Sequence, residues 1–294
     1  MRRSDGCPRV LVALLGVVLG LAGCRSITVP TSRLSTEQQQ TMLARGRDGT
    51  FEGAFNTARS FEHFNDPRAV LFHERAAATT PWTFNNTKAE EALGRIWRSG
   101  RLDNGERLDS GAAPVLRASW KKAEHWYLAA ANHGNPYAFS DLADAYRERG
   151  DERLALRWDL RSMVYLRSTS RSAAVTRAFA AEGDQVHPVV ARIQRRAARG
   201  DAGAQVDLGA LLEKGVGLPA DPVRALALYE AAGAQGDVFG QYFAGLLLGR
   251  GARGLEKNPD AAAVWFARAE AQRFYMAAPS YWKEAISPPF FIFE

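Results

Sequence analysis

Gly200 to Gly236 reads GDAGAQVDLGALLEKGVGLPADPVRALALYEAAGAQG, and Gly236 to Arg273 reads GDVFGQYFAGLLLGRGARGLEKNPDAAAVWFARAEAQR. The two stretches are one pattern written twice. Both open Gly-Asp. Ala204 aligns with Gly240, Leu208-Gly209 with Ala244-Gly245, Leu212 with Leu248 and Gly215 with Gly251, at a constant offset of 36 residues. A one-residue longer loop then moves the offset to 37, and Asp221-Pro222 aligns with Asn258-Pro259, Leu228-Tyr229 with Trp265-Phe266 and Ala232 with Ala269. Self-similarity at a fixed period of this length marks a stacked repeat.

The unit is legible residue by residue. Ala204, Leu208 and Leu212 stand four apart, on one face of a helix. Gly215 and Gly217 end that helix and form the turn. Asp221 before Pro222 is an N-cap followed by proline at the first helical position. The second helix then offers Ala225, Leu228, Tyr229 and Ala232 to the first. Gly or Ala at 204, 209, 240, 244 and 245 lets the two helices approach closely. One such pair cannot bury its own apolar face, so neighbouring pairs must stack.

Partial copies extend upstream. Ala89, Leu93-Gly94, Trp97 and Gly100 fit a first helix, and Ala123, Trp126-Tyr127, Ala129-Ala130 and Gly134 fit its partner across an insertion from Arg101 to Pro114. Ala138, Leu142-Ala143, Tyr146 and Gly150, then Ala155 and Trp158, fit the next pair. Residues 171–199 read as one more, degenerate pair. This pattern resembles the Sel-one-like (Sel1-like) repeat, a relative of the tetratricopeptide repeat with a longer loop between its helices. The resemblance implies an all-α fold: a right-handed α-solenoid of helix-turn-helix repeats over 86–273. Some exported members of that family clamp each helix pair with a disulfide, and this chain lacks the cysteines for it. Residues 35–85 lack the repeat and read as an N-terminal helical cap. It comprises a capped helix from Ser35-Thr36-Glu37, a second from Gly53 to His63, a third from Pro67 to Ala78, and a loop from Pro81 to Asn86. Residues 274–294 form an aromatic tail, expected to fold back over the last repeat; the competing reading is a docking peptide.

The start of the chain is read separately. Arg2 and Arg3 precede an uncharged apolar run from Val10 to Gly23, long enough for a signal peptide and short for a membrane span. The run ends Leu21-Ala22-Gly23-Cys24, which resembles the lipobox of bacterial lipoproteins. The resemblance implies cleavage after residue 23 and acylation of Cys24, a membrane attachment by lipid anchor. Arg25 after the cysteine, where an aspartate favours inner-membrane retention in those lipoproteins, implies the outer membrane, facing the periplasm. Residues 24–34 are then a lipidated tether. Cys7 and Cys24 are the only cysteines of the sequence. The mature chain is therefore expected to have no disulfide, cysteine metal site or cysteine nucleophile.

Composition narrows the function classes. Hydrophobic residues at 46% and charged residues at 24% of 294 exclude a mainly disordered chain. A mean hydropathy of -0.27 excludes a polytopic membrane protein. The net charge of +6 is too mild to argue for nucleic acid. None of His63, His73, His125, His133 and His187 has the spacing of a zinc motif, and no nucleophile elbow, P-loop or dinucleotide fingerprint occurs. Glu90-Glu91 could suggest a glycosidase acid, but Glu91 stands four residues before Arg95, an ordinary helix-stabilising pair. No catalytic residue, metal ligand or cofactor is assigned.

The resemblance implies that first helices line the concave face. Register on Leu93 then places Lys88, Arg95 and Arg98 there. Register on Leu142 places Tyr137 and Arg147, and register on Ala244 places Phe239, Tyr242 and Arg250. Arginine suits carboxylate recognition and aromatics suit binding hot spots. The expected function is a non-catalytic envelope scaffold or adaptor that binds a protein or peptide partner through this groove. Two alternatives stand beside it: an envelope hydrolase with catalytic groups in the N-terminal non-repeat region or the 101–114 insertion, and a structural brace of a secretion or polysaccharide-export assembly.

Overall fold

The structure is a computed structural model that describes residues 35–80, 82–102, 114–166, 169–180 and 185–286. The segment read as a signal peptide, Cys24, the stretch read as a tether, most of the insertion and the Pro288-Pro289 end of the tail lie outside the described residues. The chain runs through α1 (Thr36–Arg45), α2 (Phe51–His63), α3 (Arg68–Ala77), α4 (Phe84–Ser99), α5 (Trp120–Asn132), α6 (Pro136–Glu148), α7 (Glu152–Leu166), α8 (Thr169–Ala178), α9 (Pro188–Ala198), α10 (Ala202–Lys214), α11 (Pro222–Ala234), α12 (Val238–Arg250) and α13 (Pro259–Ala271). A 3-10 turn (Tyr275–Ala277) and α14 (Pro279–Ile286) follow. No strand occurs among the described residues.

Consecutive helices pack on one another from α2 to α7 and from α9 to α13, the arrangement of stacked helical hairpins. The capping signals read from the sequence act as such. Ser35 accepts from the Gln38 amide while the Gln38 side chain accepts from Ser35, a closed capping box. Asp201, Asp221, Asp237 and Asn258 each accept from an amide of the first turn they precede. The Leu-Gly step of the repeat also has a structural reason. A Cβ on Gly94 would lie 2.4 Å from the Tyr127 ring, one on Gly209 would lie 2.6 Å from Tyr229, and one on Gly245 would lie 2.8 Å from Phe266. Each glycine is the seat for the aromatic ring of the second helix.

Three expectations need correction. Pro81 to Asn86 is not all loop, because α4 already starts at Phe84. Asn86 makes that start: its Oδ1 accepts from the Thr83 amide at 2.7 Å, and its Nδ2 donates to the carbonyls of Ala76, Ala77 and Thr79 that end α3. Residues 171–199 do not stack as an isolated pair. The α8 helix packs on α7 and α9 on α10, while α7 reaches α10 directly. Finally, α12 is buried at every residue from Phe239 to Gly249. A helix that is apolar all round belongs inside a core, and it has no face left for an open groove.

The α12 helix packs on its neighbours α11 and α13, and distant elements cover the face they leave. Phe239 meets Phe139 of α6 and Trp158 of α7 edge-on, each at 5.7 Å between centroids. The segment after α13 supplies the rest. Phe274 packs on Tyr242 at 4.9 Å and on Phe239 at 5.5 Å. Tyr275 stacks on Phe84 of α4 at 5.1 Å, and its amide donates to the His133 carbonyl at 3.1 Å. Trp282 of α14 stacks on Phe266 at 4.9 Å. The described part of the tail, to Ile286, packs on the last repeat through Phe274 and Trp282, and Tyr275 crosses to α4 and to the α5–α6 turn.

Candidate partner-binding face

The eight groove positions fall into two groups. Phe239 and Tyr242 are 5% and 1% exposed and belong to the aromatic core, so their placement in a binding groove is overturned by burial. Arg250, at the end of α12, is half-buried, and its charge acts on the half-buried Tyr165 and the buried Tyr242. The α4 and α6 positions stay at the surface. Lys88 is exposed, with its ammonium 5.9 Å from the Phe84 ring. Tyr137 is 70% exposed at the first turn of α6, the largest exposure of any big apolar side chain described.

The arginines of this face are held in ion pairs. Arg95 Nε meets Glu91 at 2.7 Å, the pair expected from the sequence. Arg98 reaches across from α4 to Glu148 of α6. Arg147 binds Asp144 at 2.7 Å and the buried Asp159 of α7 at 2.6 Å. Pairing fixes the guanidinium planes, so a ligand meets a pre-organised charged rim instead of mobile side chains.

Between α4, α5 and α6 lies a cleft of about 560 Å³, lined by Arg95, Arg98, Arg101, Tyr127, Asp141 and Glu148 among others. Two of its groups escaped the sequence reading. Asp141 is half-buried beside Leu142, and its carboxyl is pushed up to about 6. Burial is the main cause and the like charge of Glu91 adds to it; Arg95 and Arg98 oppose. Tyr127 is fully buried, its phenol raised by the same desolvation. Its hydroxyl lies next to the Arg98 guanidinium without closing a regular hydrogen bond to it. A buried hydroxyl left unmatched is costly, by roughly 1–3 kcal/mol. The repeat pattern did mark Tyr127, but only as a packing ring; no local signal marked Asp141, whose burial comes from α4.

The carboxylates once weighed for catalysis are tied down. Glu90 binds Nδ1 of His133 through both oxygens at 3.0 Å. In the N-terminal region, the fully buried Glu62 binds Arg59 at 2.6 Å and His73 at 3.1 Å. Among the described residues no group of three or more His, Cys, Asp or Glu is placed to hold a metal ion, and no helix is long and apolar enough to cross a membrane.

Comparison with known proteins agrees with the repeat reading. The Sel1 repeat family matches residues 121–135, 202–237 and 238–273, that is, the second helix of the first pair and the two units at the end of the array. Repeats of this family generally serve as protein-interaction scaffolds. Among solved structures, a protective antigen present in uropathogenic Escherichia coli strains, displaying an SLR fold, is 20% identical with a TM-score of 0.34. That match covers 76% of this chain and 46% of the antigen, so the chain spans less than half the length of that protein. A Sel1 repeat protein from Oxalobacter formigenes is 22% identical with a TM-score of 0.30, over 79% of this chain and 76% of that one. No curated protein matches the chain.

Proposed function

We propose that this chain is a lipid-anchored scaffold of a bacterial envelope. It holds a protein or peptide partner on the face formed by α4 and α6, and it has no reaction of its own. The observation that carries the reading is the cleft on that face, where an unmatched buried hydroxyl and a carboxyl whose proton affinity is raised by burial sit inside a rim of paired charges. Groups that are poorly satisfied in the isolated chain are those a partner can satisfy. The α12 end of the expected groove is filled by the chain's own Phe274, which supports docking on the α4–α6 side. The non-catalytic reading is supported by Glu62 and Glu90, whose carboxylates are engaged by Arg59, His73 and His133. The envelope location rests on the apolar run before Cys24, and the outer-membrane, periplasm-facing placement rests on Arg25.

Photocrosslinking in living cells tests the docking face. Probes replace Lys88, Tyr137 and Arg147, and a control probe replaces the exposed Arg224 of α11. One protein adduct from the α4 and α6 probes alone is expected. Adducts from none of them, or equal adducts from Arg224, would overturn the assignment. A single adduct at fixed stoichiometry in every growth condition would identify the partner assembly as one that this chain braces. The anchor is tested by Cys24→Ser, expected to move the protein from the membrane to the soluble fraction; an unchanged membrane fraction would remove the anchor from the proposal.

A further inference from the structure

A second pocket, of about 440 Å³, lies away from the α4–α6 face. It is enclosed by the end of α5, the inner side of α7 and the starts of α10 and α12. Its floor holds two arginines one helical turn apart, Arg157 and Arg161, and they share one carboxylate. Arg157 Nε donates to Oδ2 of Asp207 at 2.8 Å, and Arg161 Nη1 donates to Oδ1 at 2.6 Å. Arg161 is 3% exposed, sandwiched near Phe239 at 4.7 Å and Trp158 at 5.1 Å. Its Nε has no hydrogen-bond partner among the described residues.

The carboxylate that lines the pocket, Asp237, is turned to the amides of Phe239 and Gly240 at the positive end of α12 and accepts nothing from the Arg161 Nε. Gly203 brings the first turn of α10 against the Arg157 guanidinium. Burial, together with the neighbouring Arg157, draws the Arg161 cation below its ordinary proton affinity, and Asp207 does not make this up. For Arg157, which is less enclosed, Asp207, Asp201 and Asp237 together outweigh burial and hold it above. With Asp207 and Asp237 facing the two guanidiniums the formal charges are met, and what stays unmatched is the Arg161 Nε–H. That fits a monoanionic acceptor and disfavours a phosphate dianion, which Asp207 and Asp237 would repel. A planar carboxylate also suits the guanidinium fork. The walls beside it (Leu128, Trp158, Val238 and Phe239) are apolar.

We propose that this pocket binds a carboxylate with an apolar body, its oxygens taken by Arg157 and by the unmatched Nε of Arg161. The site is separate from the proposed docking face and is testable whether or not that face binds a partner.

The test is calorimetric titration of the full chain in detergent with benzoate, with benzamide as the uncharged match, and with inorganic phosphate. Peptides ending in phenylalanine, with free or amidated C-termini, form a further arm. Benzoate is expected to bind at least about tenfold more tightly than benzamide, the factor that one charge-assisted hydrogen bond supplies. Arg157→Gln, which keeps the Arg161–Asp207 pair, is expected to weaken benzoate about tenfold. Binding of the free peptide but not its amide would extend the site to chain termini, while benzoate alone would restrict it to small acids. In Asp207→Asn, benzoate is expected to raise the melting temperature more than in the parent, because it replaces the missing carboxylate. Equal binding of benzamide, tighter binding of phosphate, or an unchanged affinity in Arg157→Gln would show that the arginines only tie α7 to α10.

Discussion

Asp141 gives the sharpest check on the α4–α6 cleft, because its cost can be worked out. The carboxyl is pushed up from 3.8 to about 6 by burial and by Glu91, against the help of Arg95 and Arg98; Asp144 adds a smaller like charge. Below pH 3.8 both folded and unfolded chains carry the proton, and the group is neutral to stability. Between 3.8 and about 6 the folded state binds more protons than the unfolded, so stability falls as pH rises. Above 6 the full penalty is present. At 1.36 kcal/mol per tenfold change in proton affinity it approaches about 3 kcal/mol, and screening by the solvent that still reaches the group reduces it to about 2 kcal/mol. Asp141→Asn removes the charge at nearly constant shape. At pH 7.5 it is expected to raise the melting temperature by about 4–8 °C, taking 2–4 °C per kcal/mol for a chain of this size. At pH 3 the variant and the parent are expected to melt together. Calorimetric or circular-dichroism melts at the two pH values decide it. A variant that is stabilised equally at both, or at neither, would refute the burial argument. If the cleft also receives a partner, the same variant loses affinity while gaining stability, the trade expected of a functional group.

The remaining predictions concern packing. Gly209→Ala is expected to destabilise by about 1–2 kcal/mol, because overpacking against Tyr229 outweighs the better helix propensity. In a Tyr229→Ala background the same change becomes neutral or stabilising by up to about 1 kcal/mol, so urea midpoints that simply add would contradict the glycine seat. Asn86→Ala removes the partner of three carbonyls and of the Thr83 amide, with an expected loss of about 2–3 kcal/mol in the same assay. Phe274→Ala is expected to cost about 3–5 kcal/mol and to raise the binding of a hydrophobic dye, because it uncovers Phe239 and Tyr242. An unaltered dye signal would mean that the tail does not cover α12.

What the sequence disclosed, and what it hid, follows the range of the interactions. The 200–273 repeats were legible because their determinants are local: caps at Asp221 and Asn258, prolines after them, and a glycine one helical face away from an aromatic ring. The start of α4 was misread because its capping box uses Asn86, a poor helix former, where Glu or Gln would have announced it. Phe239 and Tyr242 were misplaced by register arithmetic that assumes one open face on every first helix. The warning was present in VFGQYFAGLLLGR, apolar on all sides of the helix. What the sequence lacked was the identity of the covering elements, Phe139, Trp158 and Phe274, which lie far along the chain. Arg157 and Arg161 were invisible for a different reason. Two arginines four apart on a helix look like an ordinary solvated pair, and the clue was the single aspartate, Asp207, inside the apolar stretch AQVDLGALL on another helix. Both cavities hold groups that depart from the chain's own packing rules: a raised carboxyl and an unmatched hydroxyl in the first, an unmatched guanidinium nitrogen in the second. Buried polar atoms without a partner also occur at His73 Nδ1, Trp97 Nε1 and Ser162 Oγ, outside the two cavities. At Tyr127 and Arg161 the unmatched atom belongs to a residue that lines a cavity together with charged side chains, and it is that combination that is read as a place kept for a ligand.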